Sequence, residues 1–528
     1  MNEPYDPLDD VRKFETTVEQ MFSRAVERWP DRPFVIADGK RISFADMETH
    51  VNRAARGLLA LGVAPGDRVA LWMSNIWEWI VVQFAVTRMG AVLTPINTRL
   101  RVDDMGHILR DSGATILFTQ GVSKDFSYVE VAREILAALG SDTTLQHIVV
   151  ARATGKMDQP FVSWNDFVTV GGTIQETPQP SEDPSDLAYI LYTSGTTSLP
   201  KGVMLSHACL NNALNMAGQF REKDVTLLVY PLFAITGCHN AVLKSALLGG
   251  CVVMQERFDA AEVVALIEMH RCTVIGCIIN VLEEIAALPD FDAKQVDSLR
   301  IANVFPRRSE HLALLQCFGI EAATTGYGMT ETTGPVCFIA DLDPESMTSE
   351  GCPWPGDEVR LVTEDGHDAD VGEDGAILVR TRHNMIGYFN NPEATAKTKD
   401  GDGWLHTGDI GRWDSLGRLT WVGRANDIIK SSGFNFAAQE VEAYLSGHAA
   451  VEEVAIVGVP DRSKGEVGSA FVVPRAGASI DLEEIRAFCA GRIASYKVPR
   501  HAFIRDDLPK TASGKVRKVE LKAWFLER

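Results

Sequence analysis

Between Phe14 and Trp29 the apolar residues Val18, Met21, Phe22, Ala25 and Val26 fall at helical spacing, with Thr17 placed to cap the segment and Pro30-Asp31 to stop it. Phe34-Val35-Ile36 and Arg41-Ile42-Ser43 flank Asp38-Gly39-Lys40, which predicts a hairpin with an Asp-Gly turn. A second amphipathic helix is expected from Phe44 to Leu61, then a strand from Arg68 to Trp72, a helix from Ile76 to Met89 and a strand from Ala91 to Pro95. Strand, helix, strand alternation at this spacing argues for a parallel sheet. Ala114 to Phe118 and His147 to Val150 continue the strands. Lys156 to Asp183, rich in Pro, Gly, Thr and Gln, reads as a connector.

The alternation resumes after that connector. Leu187 to Tyr192 reads as a buried strand, Val225 to Pro231 as a strand and Asn240 to Leu248 as a helix. Cys251 to Met254, Ala260 to His270 and Thr273 to Ile278 follow as strand, helix and strand. From Gly351 the character changes. Glu358 to Val362 and Ala376 to Arg380 surround two Glu-Asp-Gly turn signals, which predicts a small β-rich subdomain. Beyond Asn426 comes a compact piece with a helix at Ala437 to Leu445, a strand at Val451 to Val457 and a helix at Leu482 to Arg492. The fold class is α/β: a large N-terminal domain of two related α/β halves plus a small β-rich subdomain, and a small α/β C-terminal domain.

Composition narrows the functions open to this fold. A formal net charge of −20 over 528 residues argues against broad nucleic-acid binding and against docking on anionic membranes, though a local basic patch for a phosphate is still allowed. The nine cysteines are odd in number, scattered and without a Cys-x-x-Cys pair, so a reduced compartment fits and a disulfide framework does not. The twelve histidines show no metal spacing. Glu3, Asp6, Asp9 and Asp10 precede any apolar run, which does not suit a signal peptide. The most apolar stretch, Trp79 to Leu93, is broken by Arg88 and too short to span a bilayer. A cytoplasmic protein with no integral membrane association is expected.

The most informative stretch is Tyr192 to Gly202, YTSGTTSLPKG. Glycine and hydroxyl residues let backbone N–H groups turn inward around an anion, and Lys201 supplies a point charge. It is not a Walker A loop, because Pro200 precedes Lys201 and Gly202 follows it. Taken alone, the same residues also suit a flexible surface loop.

Four further stretches decide between those readings: Tyr327 to Thr332, Gly403 to Gly411, Gly423 to Glu442, and Pro509 to Lys515. In this order they resemble the signatures of the adenylate-forming superfamily, in its acyl-CoA synthetase or acid–CoA ligase branch, from about Asp46 to the end of the chain. The resemblance implies a carboxylate attacking the α-phosphorus of ATP, then a thiol displacing AMP from the mixed anhydride. It implies that Thr193, Ser194, Gly195, Thr196, Thr197 and Lys201 hold the β- and γ-phosphates. Tyr327 and Gly328 would flank adenine, Thr330 would contact the α-phosphate, Glu331 would ligate Mg²⁺, Asp409 would bind the ribose hydroxyls, and Arg424 would contact ribose or phosphate. The implied domains are 1–423, a hinge at 424–427 centred on Asn426, and a mobile small domain at 428–528. Lys515 would serve adenylation. After a rotation, Lys430 and the loop with Ser432 and Gly433 would serve the thiol step, with Gly433 lining the CoA tunnel. Cofactors and partners implied are ATP or a preformed acyl-AMP, CoA, Mg²⁺ and a small carboxylic acid. The resemblance also allows a homodimer.

The chain departs from the family pattern at three places. Relatives usually carry Gly where Ser198 stands, His where Ala234 follows Pro231-Leu232-Phe233, and Gly-Gly-Ala where Asn303-Val304-Phe305 stand. With Gly326, these residues would shape the acyl pocket. Val304 and Phe305 fill space that small residues leave open, and Ala234 opens space, so a bulky or polycyclic acid is expected in place of a long straight chain. His239 lies too far along the chain to replace the missing imidazole with assurance. Other readings are a thioester-forming enzyme with weak adenylation that takes a preformed acyl-adenylate, a stand-alone adenylation enzyme loading a carrier protein, a luciferase-like oxygenase, and a non-catalytic nucleotide binder. Retention of Lys201, Glu331, Asp409 and Lys515 weighs against the last.

Overall fold

The structure, a computed structural model, describes residues 16–176, 178, 180–193, 199–217, 220–305, 307, 309–363, 365–424, 428–510, 516 and 518–528. Its local elements follow from the patterns above. Thr17 caps the helix Val18–Arg28: its hydroxyl accepts from the Gln20 N–H, and the Gln20 side chain accepts from the Thr17 N–H. The strands Pro33–Ala37 and Lys40–Ser43 are joined through Asp38 and Gly39, both at positive φ (53° and 70°), which matches the twist of the paired strands.

Two large sheets form the N-terminal domain. One has eight strands, in the order Gly387–Tyr388, Lys201–Ser206, Leu187–Thr193, Val92–Pro95, Arg68–Trp72, Ile116–Gln120, His147–Ala151 and Phe161–Ser163. The other has nine strands and runs from Cys352–Pro353 through Gly334–Asp341, Ala322–Met329, Ile301–Phe305, Val274–Ile278, Val225–Leu228 and Cys251–Met254 to the first hairpin. The two halves are therefore not two consecutive segments of chain. The hairpin at residues 33–43 belongs to the sheet built mostly by the second half, where Val35 and Ile36 pair in parallel with Val252 and Val253.

Between the sheets lies the helix Trp77–Arg88, every residue of which is buried. An all-round apolar helix needs cover on all sides. Arg88 at its end is held by Glu19 at 2.8 Å, Glu48 at 2.8 Å and the side-chain amide oxygen of Asn52 at 2.8 Å.

The expected connector at 156–183 is in part ordered structure. Phe161–Ser163 extends the eight-stranded sheet, and Trp164–Thr173 packs along the helix Phe44–Ala60. Sequence composition concealed this because the helix contact is made by glycine. A Cβ on Gly171 would lie 2.1 Å from the Arg53 carbonyl oxygen, and one on Gly57 would lie 2.6 Å from the Phe167 ring. Two small residues thus let the backbones approach closely.

The β-rich subdomain is a four-stranded antiparallel sheet of Glu358–Val362, Asp374–Arg380, Leu405–Trp413 and Leu419–Arg424. Glu350 joins it to the domain above: its N–H donates to the Leu419 carbonyl at 2.8 Å and its carboxylate accepts from the Trp421 N–H at 2.7 Å. The small C-terminal domain is a five-stranded sheet including Ile428–Ser431, Phe434–Ala437, Val451–Asp461, Gly465–Pro474 and His501–Ile504. Among the described residues no helix is long and apolar enough to cross a membrane.

Two outcomes follow from this packing. Gly171→Ala is expected to lower stability by about 1–3 kcal/mol through overpacking, whereas Gly172→Ala, with nothing within 4 Å of the added Cβ, is not; thermal unfolding of the pair reads the difference. Burial raises the Glu350 carboxyl from 4.5 to about 7. The folded chain then keeps a proton that the unfolded chain releases, and stability falls as pH rises from about 4.5 through 7. Glu350→Gln keeps an acceptor for the Trp421 N–H. It is expected to gain on the order of 1–3 kcal/mol over the unmodified chain at pH 8 and nothing at pH 4; a gain independent of pH in urea titrations would contradict this.

Candidate functional site

Both sheets send the ends of their central strands to one cleft. Leu187–Thr193 and Lys201–Ser206 form an antiparallel pair in which Thr193 faces Lys201 in register. Ser194, Gly195, Thr196, Thr197 and Ser198 lie outside the described residues. The Lys201 Nζ stands 5.2 Å from the centroid of the Tyr388 ring, within cation–π range. Tyr388 is carried by the short edge strand Gly387–Tyr388, paired through Val203. Its hydroxyl donates to Glu331 Oε1 at 2.8 Å. A cation, an aromatic ring and a buried carboxylate are thereby linked across three separate segments.

Glu331 and Thr330 sit on the single turn Thr330–Thr332 that follows the strand Ala322–Met329. Glycines in that strand permit close pairing with Gly334–Asp341. A Cβ on Gly326 would meet the Cys337 carbonyl oxygen at 2.4 Å, and one on Gly328 the Gly334 carbonyl oxygen at 2.0 Å. Gly326 is therefore half-buried against the neighbouring strand, while Gly328 is exposed at the cleft. Tyr327 between them is buried, and its hydroxyl donates to Asp409 Oδ2 at 2.7 Å. Asp409 is itself buried, and its N–H donates to the Thr407 hydroxyl at 3.1 Å. Asp409 faces Arg424 in the sheet register. Asn426 lies outside the described residues. Among the described residues no three His, Cys, Asp or Glu side chains gather as a metal site.

On the acyl side the structure corrects one expectation. Alternation along Ile301–Phe305 sends Asn303 and Phe305 to one face and Val304 to the other. Val304 is 1% exposed and packs in the core with Ala302, Leu315 and Phe318, so it does not line the pocket. Phe305 is 44% exposed, and the Asn303 carbonyl accepts from the Tyr230 hydroxyl at 3.2 Å. Ala234 is half-buried at the start of the turn Ile235–Gly237. His239 points away from it into the core, its ring 4.6 Å from that of Tyr189. Among the described residues neither ring nitrogen of His239 has a hydrogen-bond partner, and burial pulls its pKa down to about 3. It is a neutral core imidazole.

The small domain reaches this same cleft. Ser432 and Gly433 have φ of 52° and 78°, and a Cβ on Gly433 would touch Ile278 Cγ2 at 3.5 Å. Phe434 lies with its ring 6.3 Å from Phe233 and 4.7 Å from Tyr496. Lys430 Nζ is 3.6 Å from the Trp421 ring centroid and 5.6 Å from that of Phe305. Lys515 lies outside the described residues. On one side of it, Lys510 pairs with Glu453 at 2.8 Å, and Val516 on the other packs beside Leu508 and Val459 within the small domain's own core. Tyr388, Trp421, Phe434 and Tyr496 were not legible as site residues, because strand pairing and domain contact bring them in and no sequence spacing marks either.

A model of the AMP-binding enzyme family matches residues 22–389, and one of the AMP-binding enzyme C-terminal domain matches residues 440–515. The chain is 33% identical to a 3-[(3aS,4S,7aS)-7a-methyl-1,5-dioxo-octahydro-1H-inden-4-yl]propanoyl:CoA ligase from Mycobacterium tuberculosis, over 98% of this chain and 99% of that protein. Its structure superimposes on a double mutant of o-succinylbenzoate CoA synthetase from Bacillus subtilis bound with a product analogue, OSB-NCoA, at a TM-score of 0.80 and 26% identity, covering 95% of this chain and 98% of that one. Against the same synthetase in complex with the acyl-adenylate intermediate OSB-AMP, the TM-score is 0.64 at 27% identity, covering 95% and 97%. With both family models matched in order, the chain belongs to the AMP-binding enzymes.

Proposed function

We propose that this chain is an ATP-dependent acid–CoA ligase that activates a bulky, ring-bearing carboxylic acid through an acyl-adenylate. The observation that carries the reading is the meeting of Lys201, Tyr388 and Glu331 with Tyr327 and Asp409 in one cleft, against which Gly433 packs. In this reading Thr193, the loop 194–198 and Lys201 bind the outer phosphates. Tyr327 and Gly328 bound the adenine, Asp409 and Arg424 hold the ribose, and Thr330 contacts the α-phosphate. Glu331 offers the hard oxygen that Mg²⁺ needs; a cation that keeps waters and takes phosphate oxygens is suited to one protein carboxylate. Mg²⁺ would neutralise phosphate charge there. Tyr388 fixes the Glu331 carboxylate and, through its ring, the Lys201 ammonium.

Lys515 bridges the substrate carboxylate and the α-phosphate during adenylation. The small domain then turns about residues 424–427, between a large domain at 1–423 and a small one at 428–528, and brings Lys430, Ser432 and Gly433 to the cleft. The CoA thiol attacks the acyl carbonyl past Gly433, and AMP leaves. Asn303 and Phe305 bound the acyl group, with Ala234 leaving room. A cytoplasmic location fits the acidic chain and the cysteine pattern.

A second reading has an observation of its own in its favour. His239 is turned into the core and does not stand in for the imidazole that relatives carry at the position of Ala234, so the acid's carboxylate would have one orienting group fewer. Positioning of reacting groups is worth about 7–11 kcal/mol in the best cases, so a partial loss can leave adenylation weak and the thiol step dominant.

Running the half-reactions separately distinguishes the two. Acid plus ATP should release pyrophosphate, and synthetic acyl-AMP plus CoA should give thioester; thioester without pyrophosphate would favour the second reading. Lys515→Ala is expected to abolish the first half-reaction and keep most of the second, and equal loss in both would sink that division of labour. Among acids, a bicyclic or aromatic propanoate is expected to exceed palmitate at least ~10-fold in kcat/KM, the scale of one or two misfitted methylenes. Palmitate turning over as well as any ring-bearing acid would overturn the substrate assignment.

A further inference from the structure

Lys497 lies in the small domain, between Tyr496 and Val498, and its side chain is 1% exposed. Its ammonium bonds Glu440 of the helix Ala438–Leu445 in the same domain. It also bonds Asp104 Oδ1 at 3.3 Å, and Asp104 belongs to the helix Val102–Ser112 of the large domain. All three side chains are buried, at 1%, 9% and 8% exposure. One ammonium thus serves two carboxylates across the domain boundary.

The second carboxylate is the informative one. Lys497 and Glu440 already form a neutral pair without leaving the small domain. Asp104 adds a buried negative charge that must be desolvated and that faces a like charge on Glu440. Burial in the first place, and Asp104 in addition, push the Glu440 carboxyl upward against the pull of Lys497. Such an arrangement is a poor source of bulk stability, because desolvation offsets attraction. It is a good source of register, because each buried partner left alone is strongly penalised.

The neighbouring contacts belong to the same register. Residues 97–104 of the large domain touch the small domain at two further points, which a stacked ring pair within the small domain joins into one surface. Asn97 Nδ2 donates to the Tyr496 hydroxyl at 3.3 Å, the Arg99 guanidinium stands 4.2 Å over the Phe434 ring, and Phe434 stacks on Tyr496. Phe434 directly follows Gly433, the residue in contact with Ile278. The charge triad and Gly433 therefore belong to one contact surface between the two domains.

We propose that Asp104 is a positioning residue for thioester formation. By accepting Lys497 across the domain boundary it selects the arrangement that holds Gly433 and Lys430 at the cleft, and adenylation makes no use of it. This rests on the acid–CoA ligase reading. That reading fails on its own terms if the unmodified chain makes no thioester from acyl-AMP and CoA, so the two failures are distinguishable.

The test uses Asp104→Asn, which keeps an acceptor for the Arg101 N–H at the start of the helix. With the best acid of the panel, thioester formation from synthetic acyl-AMP is expected to fall at least ~10-fold, as for truncation of a buried charge pair, while pyrophosphate release changes less than ~2-fold. Asp104→Glu should recover most of the lost rate. Lys497→Met removes the other end of the bond without touching the Val102–Ser112 helix, so it guards against a fold defect and must give the same split. An equal fall of both half-reactions in the two variants, or an unchanged thioester step in either, would overturn the assignment.

Discussion

The large domain depends on covering one helix. Trp77–Arg88 carries apolar side chains around its whole circumference, and its terminal Arg88 cannot reach water. The two sheets, together with the helices Val18–Arg28 and Phe44–Ala60, cover that surface. Glu19 and Glu48, brought by the helices Val18–Arg28 and Phe44–Ala60, compensate the charge. Full burial of twelve residues at about 1.5–3 kcal/mol per large apolar side chain is a strong constraint on how the sheets dock.

That docking creates the cleft. Once the sheets are clamped, the strands ending at Thr193, Met329 and Phe305 deliver their last residues to a common seam. The site is then assembled from short, stiff contributions. Close-packed glycines at 326 and 328 hold Tyr327 and Glu331, Thr407 accepts from the Asp409 N–H, and Tyr388 connects carboxylate and lysine. Little of this can shift independently, which suits a reaction whose catalysis consists of placing charged groups before charge develops.

The small domain is bound by weaker and more polar means. Stacked rings at Phe434 and Tyr496, one cation over an aromatic face and a buried charge triad meet the segment that follows the strand Val92–Pro95. Contacts between domains of this kind specify an orientation without making separation prohibitive.

The elements were largely legible because local periodicity and caps determine them. The strand Arg68–Trp72, the helix Ala260–His270 and the Asp38-Gly39 hairpin stand where hydrophobic spacing and turn chemistry put them. The family signatures were legible for a similar reason, since each is a short run of particular residue types. Three things were not. The helix Trp164–Thr173 was hidden because its packing relies on glycine, the absence of a side chain. Val304 was assigned to the pocket because a residue's identity does not state which face of a strand it takes. Tyr388, Phe434 and the Asp104–Lys497–Glu440 triad join residues far apart in the chain, and no local pattern encodes such pairs. The sequence by itself determined which segments are helices and strands and to which family the chain belongs, because those depend on neighbours within a few residues. Tertiary structure alone decided which sheet each strand joins, which side chains share the cleft and how the small domain docks, because those depend on burying surfaces that meet only after the chain has folded.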